Sequence, residues 1–480
     1  MYKVCDFIID LCEKGKASYA DARIVEMNYE SLTVKKGELS GIENSISKGV
    51  GIRVIVNGAW GFASTNDLSE KSLRKNVELA ISIGKASSHL IKQKVRLTED
   101  KVYQDTWSSP YILDPFNVTW EDKVGLLMDC DRILSQDKKI VDSKAYMSFS
   151  KEVQWFVSSE GARIKQQILR SGGGMSAIAS NGNEFQRRTY PASFGQYYQG
   201  GYEVIQGFKL LENAENTRKE AIALLDAPQC PSGKKDLILH GEQLALQIHE
   251  SIGHATELDR VLGLEANFAG RSFVTLEKKG KFKYGSKLMN IVADPTCPMG
   301  LGTYGYDDDG VRAERFHVIK DGVFENYLGN REFAHTVNET HSRACNRAQG
   351  WMHIPIVRMP NLSLMPGEGT LEEIIADTKD GLIVDTVKSW SIDQYRYNFQ
   401  FGMEAGWVIK DGSISHMVKN PTYQGITPEF WGSMDRVAGF SEWKLNGVPN
   451  CGKGQPMQVA EMSHGCSPAR FKKVEIGIMR

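Results

Sequence analysis

Residues 49–65 read GVGIRVIVNGAWGFAST. Two runs of β-branched and aromatic residues flank Asn57-Gly58, a pair that accepts the positive φ angles of a type I′ turn. The stretch predicts a β-hairpin, and with it a sheet in the N-terminal part of the chain. Just upstream, YADARIVE (19–26) alternates in strand fashion. At the chain start, Val4, Phe7, Ile8 and Leu11 recur at i, i+3, i+4 and i+7. That is the spacing of a helix laying one face on a core, and Gly15 ends it. Downstream of the hairpin, Asp67-x-x-Glu70 resembles a capping box opening a helix with Leu73, Val77, Ala80 and Ile81 on one face. The first hundred residues therefore read as α/β.

Pro110 and Pro115 bracket a linker, after which Thr119-x-x-Asp122 starts another amphipathic helix. VQWFVSSEGARIKQQIL (153–169) reads as two strands around a Ser-Glu-Gly turn, and turn-rich residues 226–233 form a second boundary. Beyond them most runs are short, β-like and Gly-punctuated, apart from a helix in GEQLALQIHESIGHATELDR (241–260), where Leu244, Ile248 and Ile252 at i, i+4 and i+8 make a buried face, and one opened by Thr370-x-x-Glu373. The expected organisation is α+β: an N-terminal α/β domain (1–110), a central α/β region (111–230) and a mainly β C-terminal domain (231–480).

The chain has 480 residues, 41% hydrophobic and 24% charged, the composition of a soluble globular protein. Lys and Arg (58) balance Asp and Glu (59), so no global field draws it to nucleic acid or membrane. Asp6 and Asp10 interrupt the N-terminal apolar stretch, which argues against a signal peptide or a spanning helix. The eight cysteines contain no C-x-x-C and read as reduced thiols of a cytoplasmic protein.

Chemistry concentrates in HESIGH, residues 249–254. In the common zinc-protease motif two histidines lie four apart, one helical turn. Here they are five apart. On a regular helix His254 would lie about 140° around from His249 and would face Glu250 instead, a surface Glu–His pair. To bring both imidazoles onto one metal the helix must gain a residue in one turn, as a π-bulge does, or break, for which Gly253 is placed. A catalytic zinc usually has three protein ligands. Glu257 and Asp259 lie nearby without an obvious ligand offset. Cysteine thiolate suits zinc. Cys451, in the Pro/Gly-rich VPNCGKGQPMQ with Lys453 to favour its ionised form, is one candidate, and the His464-Gly465-Cys466 pair is its rival.

These segments together resemble the TldD/PmbA family, also called modulators of DNA gyrase, and specifically its TldD branch. YADARIVE, GVGIRVIVNGAWGFASTND, FVSSEG, HESIGHATELDR, YDDDGVRAERFHVIKDGVFENYL, RMPNLSLMPGEGTLEEII and CGKGQ occur in the family's order over almost the whole chain. The resemblance implies a zinc metallopeptidase in which His249, His254 and Cys451 bind Zn²⁺ and Glu250 is the general base. It implies a peptide or unfolded polypeptide as substrate and a C-terminal domain that encloses the active site. It also implies a dimer, either a homodimer or a heterodimer with an inactive PmbA-like subunit. The alternative is a non-catalytic peptide-binding or regulatory subunit of such a dimer. The tail after CGKGQ resembles the family only loosely, which leaves His464 and Cys466 without a role. A β-rich cavity suits an extended peptide added as a strand.

Two other signals are set aside. Gly300-x-Gly302-x-x-Gly305 matches the dinucleotide fingerprint, but prolines precede it and Asp307, Asp308 and Asp309 follow where phosphate should sit. The Asp triplet lacks the alternate spacing of a calcium loop and reads as a solvated turn.

Overall fold

The computed structural model describes residues 1–478. Helix α1 (Tyr2–Lys14) packs on the antiparallel strands β1 (Tyr19–Lys35), β2 (Glu38–Val56) and β3 (Ala59–Thr65). The β2–β3 turn is the expected one: Asn57 has φ 54° and Gly58 φ 85°. Cys5, Ile8, Ile9 and Cys12 are the fully buried residues of α1, with Val4, Phe7 and Leu11 at the margin of the same core. The apolar face is thus turned toward the cysteines. Helix α2 (Glu70–Ser87) is capped two residues later than its sequence suggests. The Ser69 hydroxyl accepts from Ser72 N, while Asp67 accepts from Ser69 N. Serine wins because Asp67 is already spent on the turn before the helix.

The chain then runs through β4 (Gln104–Ser108) to α3 (Trp120–Leu134), whose Thr119 hydroxyl accepts from Asp122 N. The long strands β5 (Ile140–Ser158) and β6 (Arg163–Ser180) form the expected hairpin. β5 pairs with β1, so one eight-stranded sheet runs from the first residues into the central region. Within this sheet, among the described residues, only the short β4 pairs in parallel.

In the C-terminal part strands outnumber helices, joined by long irregular segments. Its nine-stranded sheet ends at Val387–Ile392 on one side and at Ser413–Lys419 on the other. Gly233–Leu239 lies near its centre, between Ala469–Ile478 and Asp380–Val384. A separate hairpin joins Lys444–Lys453 to Gln458–Cys466. The helix at Gly241–Ile248 runs into the core between these layers, with Leu244, Ile248 and Ile252 fully buried as their spacing predicts. Among the described residues no helix is long and apolar enough to cross a membrane.

The Asp triplet corrects its sequence reading. Asp307, Asp308 and Asp309 are buried, at 2%, 8% and 6% exposure. Asp309 pairs with Arg53 (2.7 Å), which also holds Asp21 (2.8 Å), and Asp308 faces Arg23 (3.6 Å). Backbone amides of Asp309, Val311 and Asn346 donate to Asp307. The triplet docks the C-terminal part on the N-terminal sheet. The glycines before it serve close packing: a Cβ at Gly302 would meet Asn361, and one at Gly305 would lie 2.6 Å from Trp107.

Candidate metal centre

The helix 241–248 keeps regular geometry until His249. Residues His249–Gly253 then form a π turn, and His254–Thr256 a single 3₁₀ turn. The π turn spreads five residues over about one revolution, which aligns positions i and i+5. His249 and His254 therefore share a face, their ring centroids 4.8 Å apart and nearly perpendicular. Ser251 anchors the widened turn. Its carbonyl accepts from Tyr284 Oη (2.5 Å) and its hydroxyl from Trp431 Nε1 (2.9 Å). Gly253 is not a break, for its φ of −53° and ψ of −66° are right-handed. It is small for packing, since a Cβ there would run into Met359 Sδ.

Cys451 comes from the 444–453 strand, and its Sγ lies 3.5 Å from His254 Nε2. The ligand atoms of His249, His254 and Cys451 all lie within 4.8 Å of one another, and all three residues are buried. For Zn–N and Zn–S bonds at a tetrahedral angle the N···S separation is about 3.5 Å. The His254–Cys451 pair has that spacing.

Neighbouring hydrogen bonds select the imidazole tautomers. His464 Nδ1 donates to Leu362 O (3.1 Å), leaving its Nε2 to accept from His249 Nδ1 (2.8 Å). His254 Nδ1 donates to Glu257 Oε2 (2.8 Å). Both histidines thereby present an unprotonated Nε2, the form a metal needs. Behind them Glu257 and Asp259 meet the buried Lys453, at 3.3 and 2.7 Å. Lys453 is thus spent on carboxylates. The cation that acts on Cys451 is Arg358, whose Nη2 also donates to the Cys451 carbonyl (2.6 Å).

Burial dominates the electrostatics. It holds His249 and His254 well below the usual imidazole range, reinforced for His249 by His254 and His464 and for His254 by Arg396 and Arg260. Both rings are neutral at physiological pH. Burial pushes the Cys451 thiol up to about 11 against the pull of Arg358. It also raises Glu250, opposed by Arg396. Two neutral imidazoles and one ionisable thiol make a donor set that fits a borderline-soft divalent cation such as zinc.

The cluster opens on a cavity of about 320 Å³ whose lining includes Phe194, Glu242, Trp390 and Arg396. Glu250, 7% exposed, is held there by an ion pair to Arg396 and a hydrogen bond to Trp390. Two strands that, among the described residues, each pair on one side only, Val387–Ile392 and Lys444–Lys453, both contribute to its walls. A larger cleft of about 720 Å³ against the N-terminal sheet shares Phe194, Pro449 and Asn450 with it. Of the rival pair, His464 touches His249. Cys466 faces Asn446 and the Gly241 carbonyl, outside the cluster. Arg358 and Arg396 carry no local sequence signal. Glu257 is three residues beyond His254, a spacing that the 3₁₀ turn at His254–Thr256 brings together.

Comparison with known proteins places the chain. Three models of PmbA/TldA metallopeptidase regions match it: domain 1 over residues 20–84, the central domain over 113–225 and the C-terminal domain over 232–477. A metalloprotease of Methanothermobacter thermautotrophicus is 30% identical over 476 residues, covering 97% of this chain and 96% of its own. A zinc metalloprotease TldD homolog of Saccharolobus solfataricus is 24% identical over 479 residues, 98% of each chain. A Thermotoga maritima crystal structure, named for modulation of a DNA gyrase, shares the fold with a TM-score of 0.78 and 18% identity over 98% of both chains.

Proposed function

Because the chain belongs to the PmbA/TldA metallopeptidase family, we propose that it is a zinc peptidase with His249, His254 and Cys451 as ligands and Glu250 as general base. Its substrates are peptides or unfolded polypeptide segments, and it works in the cytoplasm as a homodimer or beside an inactive PmbA-like partner. The observation that carries this reading is the π turn, which brings two unprotonated imidazole nitrogens toward one thiol. The name of the Saccharolobus relative supports the choice of zinc. Free cysteines throughout support a reducing compartment.

When bound, the ion supplies Lewis acidity that acidifies a water and polarises a carbonyl. The rest is the work of the chain. His464 and Glu257 fix the orientation and tautomer of the two histidines. Lys453 balances the carboxylates behind them, so the pocket does not gather uncompensated negative charge. Glu250 takes the proton of the attacking water on a carboxylate oxygen and returns it to the leaving amine nitrogen. Its burial raises its proton affinity toward what a general base needs. The one-sided strand edges at 387–392 and 444–453 suit an extended peptide held through main-chain bonds.

The test is turnover of a quenched fluorogenic peptide by wild type and Glu250→Gln, each with its zinc content measured. Glu250→Gln should keep the metal and lose about 10²–10⁴-fold in kcat. Equal turnover removes Glu250 from the chemistry. A wild type that holds no metal and cuts nothing would favour the non-catalytic subunit.

A further inference from the structure

Arg396 stands apart from every other buried cation of the site. It lies in the loop joining strands 387–392 and 398–403, and its φ of 65° is left-handed, uncommon for a residue with a side chain. The loop is pinned to hold it so. The Asp393 carboxylate accepts from the amides of Tyr395 (3.0 Å), Tyr397 (2.9 Å) and Asn398 (3.0 Å). Arg260 Nη2 donates to Gln394 O (2.8 Å), and Thr427 Oγ1 donates to the carbonyl of Arg396 itself (2.8 Å). Strain kept in place by so many bonds is a mark of functional positions. The side chain is 14% exposed, lines the cavity of the histidines and pairs with Glu250. Its Nε is buried without a hydrogen-bond partner among the described residues. Arg358 likewise has an unpartnered Nε, but Arg358, Arg260 and Lys453 each donate to protein carbonyls and none of them lines the cavity.

We propose that Arg396 is a second electrophile of the site, donating from its guanidinium to the carbonyl oxygen of the peptide bond being cut. This rests on the peptidase reading above and adds a residue to it. In the attack a C–O bond forms and the carbonyl π pair moves onto oxygen, while the water's proton passes to Glu250. Glu250 is then neutral, so Arg396 loses its counter-charge in the step in which the oxygen gains one. A buried cation without a partner is costly, and pairing with the oxyanion restores the balance. As the C–N bond breaks, its pair goes to nitrogen, Glu250 delivers the proton there, and Arg396 returns to the carboxylate. The new acid keeps the water's second proton until it ionises in solvent. Arg396 transfers no proton itself.

Arg396→Gly tests this without disturbing the loop, because glycine takes a φ of 65° freely. The variant should fold and keep its zinc, melting lower than wild type only by what the lost counter-charge of Glu250 costs, and lose about 10²–10³-fold in kcat with little change in KM. Millimolar guanidinium chloride should return part of that rate to Arg396→Gly and none to Glu250→Gln. A tetrahedral phosphinic peptide, titrated calorimetrically, should bind zinc-loaded Arg396→Gly more weakly by the factor lost in kcat, with Arg396→Lys between. Arg396→Gly that matches an active wild type in rate and inhibitor affinity overturns the proposal. So does loss of zinc together with activity in both variants, which would make Arg396 structural. A zinc-loaded wild type that cuts no peptide counts instead against the peptidase reading.

Discussion

Two buried polar clusters of this molecule use similar residues to opposite ends. At the junction of the N-terminal sheet with the C-terminal part, Arg53 is shared by Asp21 and Asp309, and backbone amides take up Asp307. Each charge faces an opposite charge or a donor, as buried ions must in order to persist. In the cavity the polarity is unresolved by design. The Nε2 atoms of His249 and His254 and the Cys451 sulfur face one another, and beside them one Arg396 nitrogen has no partner. The first arrangement holds two parts of a fold together. The second keeps lone pairs and donors for something the chain does not itself provide.

The contrast can be broken at either cluster. The largest effect on stability belongs to the junction. Arg53→Ala leaves Asp21 and Asp309 buried and unpaired, so equilibrium denaturation should show a loss of about 3–5 kcal/mol, with zinc per folded chain unchanged. Next comes His464→Ala, which should leave the fold intact and weaken zinc binding about 10–100-fold in a chelator competition, because His249 loses the acceptor that orients it. A stability loss as large as that of Arg53→Ala would make His464 a core residue instead. The gentlest probe is pH. The thiol of Cys451 is held up to about 11, so the metal-free chain binds its proton across the neutral range and zinc must displace it. His249 and His254 are held well below their ordinary range and have no proton to release there. Zinc affinity should therefore climb about tenfold per pH unit above neutrality, one proton leaving per ion, and flatten in Cys451→Ala.

The sequence revealed what local physics governs. Asn57-Gly58 signals its turn because two successive residues must take positive φ. Thr119 and Thr370 signal helix starts through caps that span three residues. The five-residue spacing of His249 and His254 already required an irregular turn, and of the two devices offered the fold uses the π turn, with Gly253 making room for Met359. Asp67 misled because two cap-forming residues stood close together and only one can sit at the helix start. What stayed hidden depends on residues far apart in the chain. Arg53 and Asp309 are separated by 256 positions, so three adjacent carboxylates read as a wet turn. His464 lies 215 positions from His249 and Arg396 lies 146 from Glu250. No local pattern announces a hydrogen bond made that way.

The account turns on two imidazoles and one thiolate meeting at a single ion. Zinc K-edge X-ray absorption of the zinc-loaded wild type tests it most directly. The expected spectrum has one sulfur scatterer at about 2.3 Å, with nitrogen and oxygen at about 2.0–2.1 Å and imidazole scattering from two rings. A first shell of nitrogen and oxygen alone, unchanged in Cys451→Ala, would contradict it.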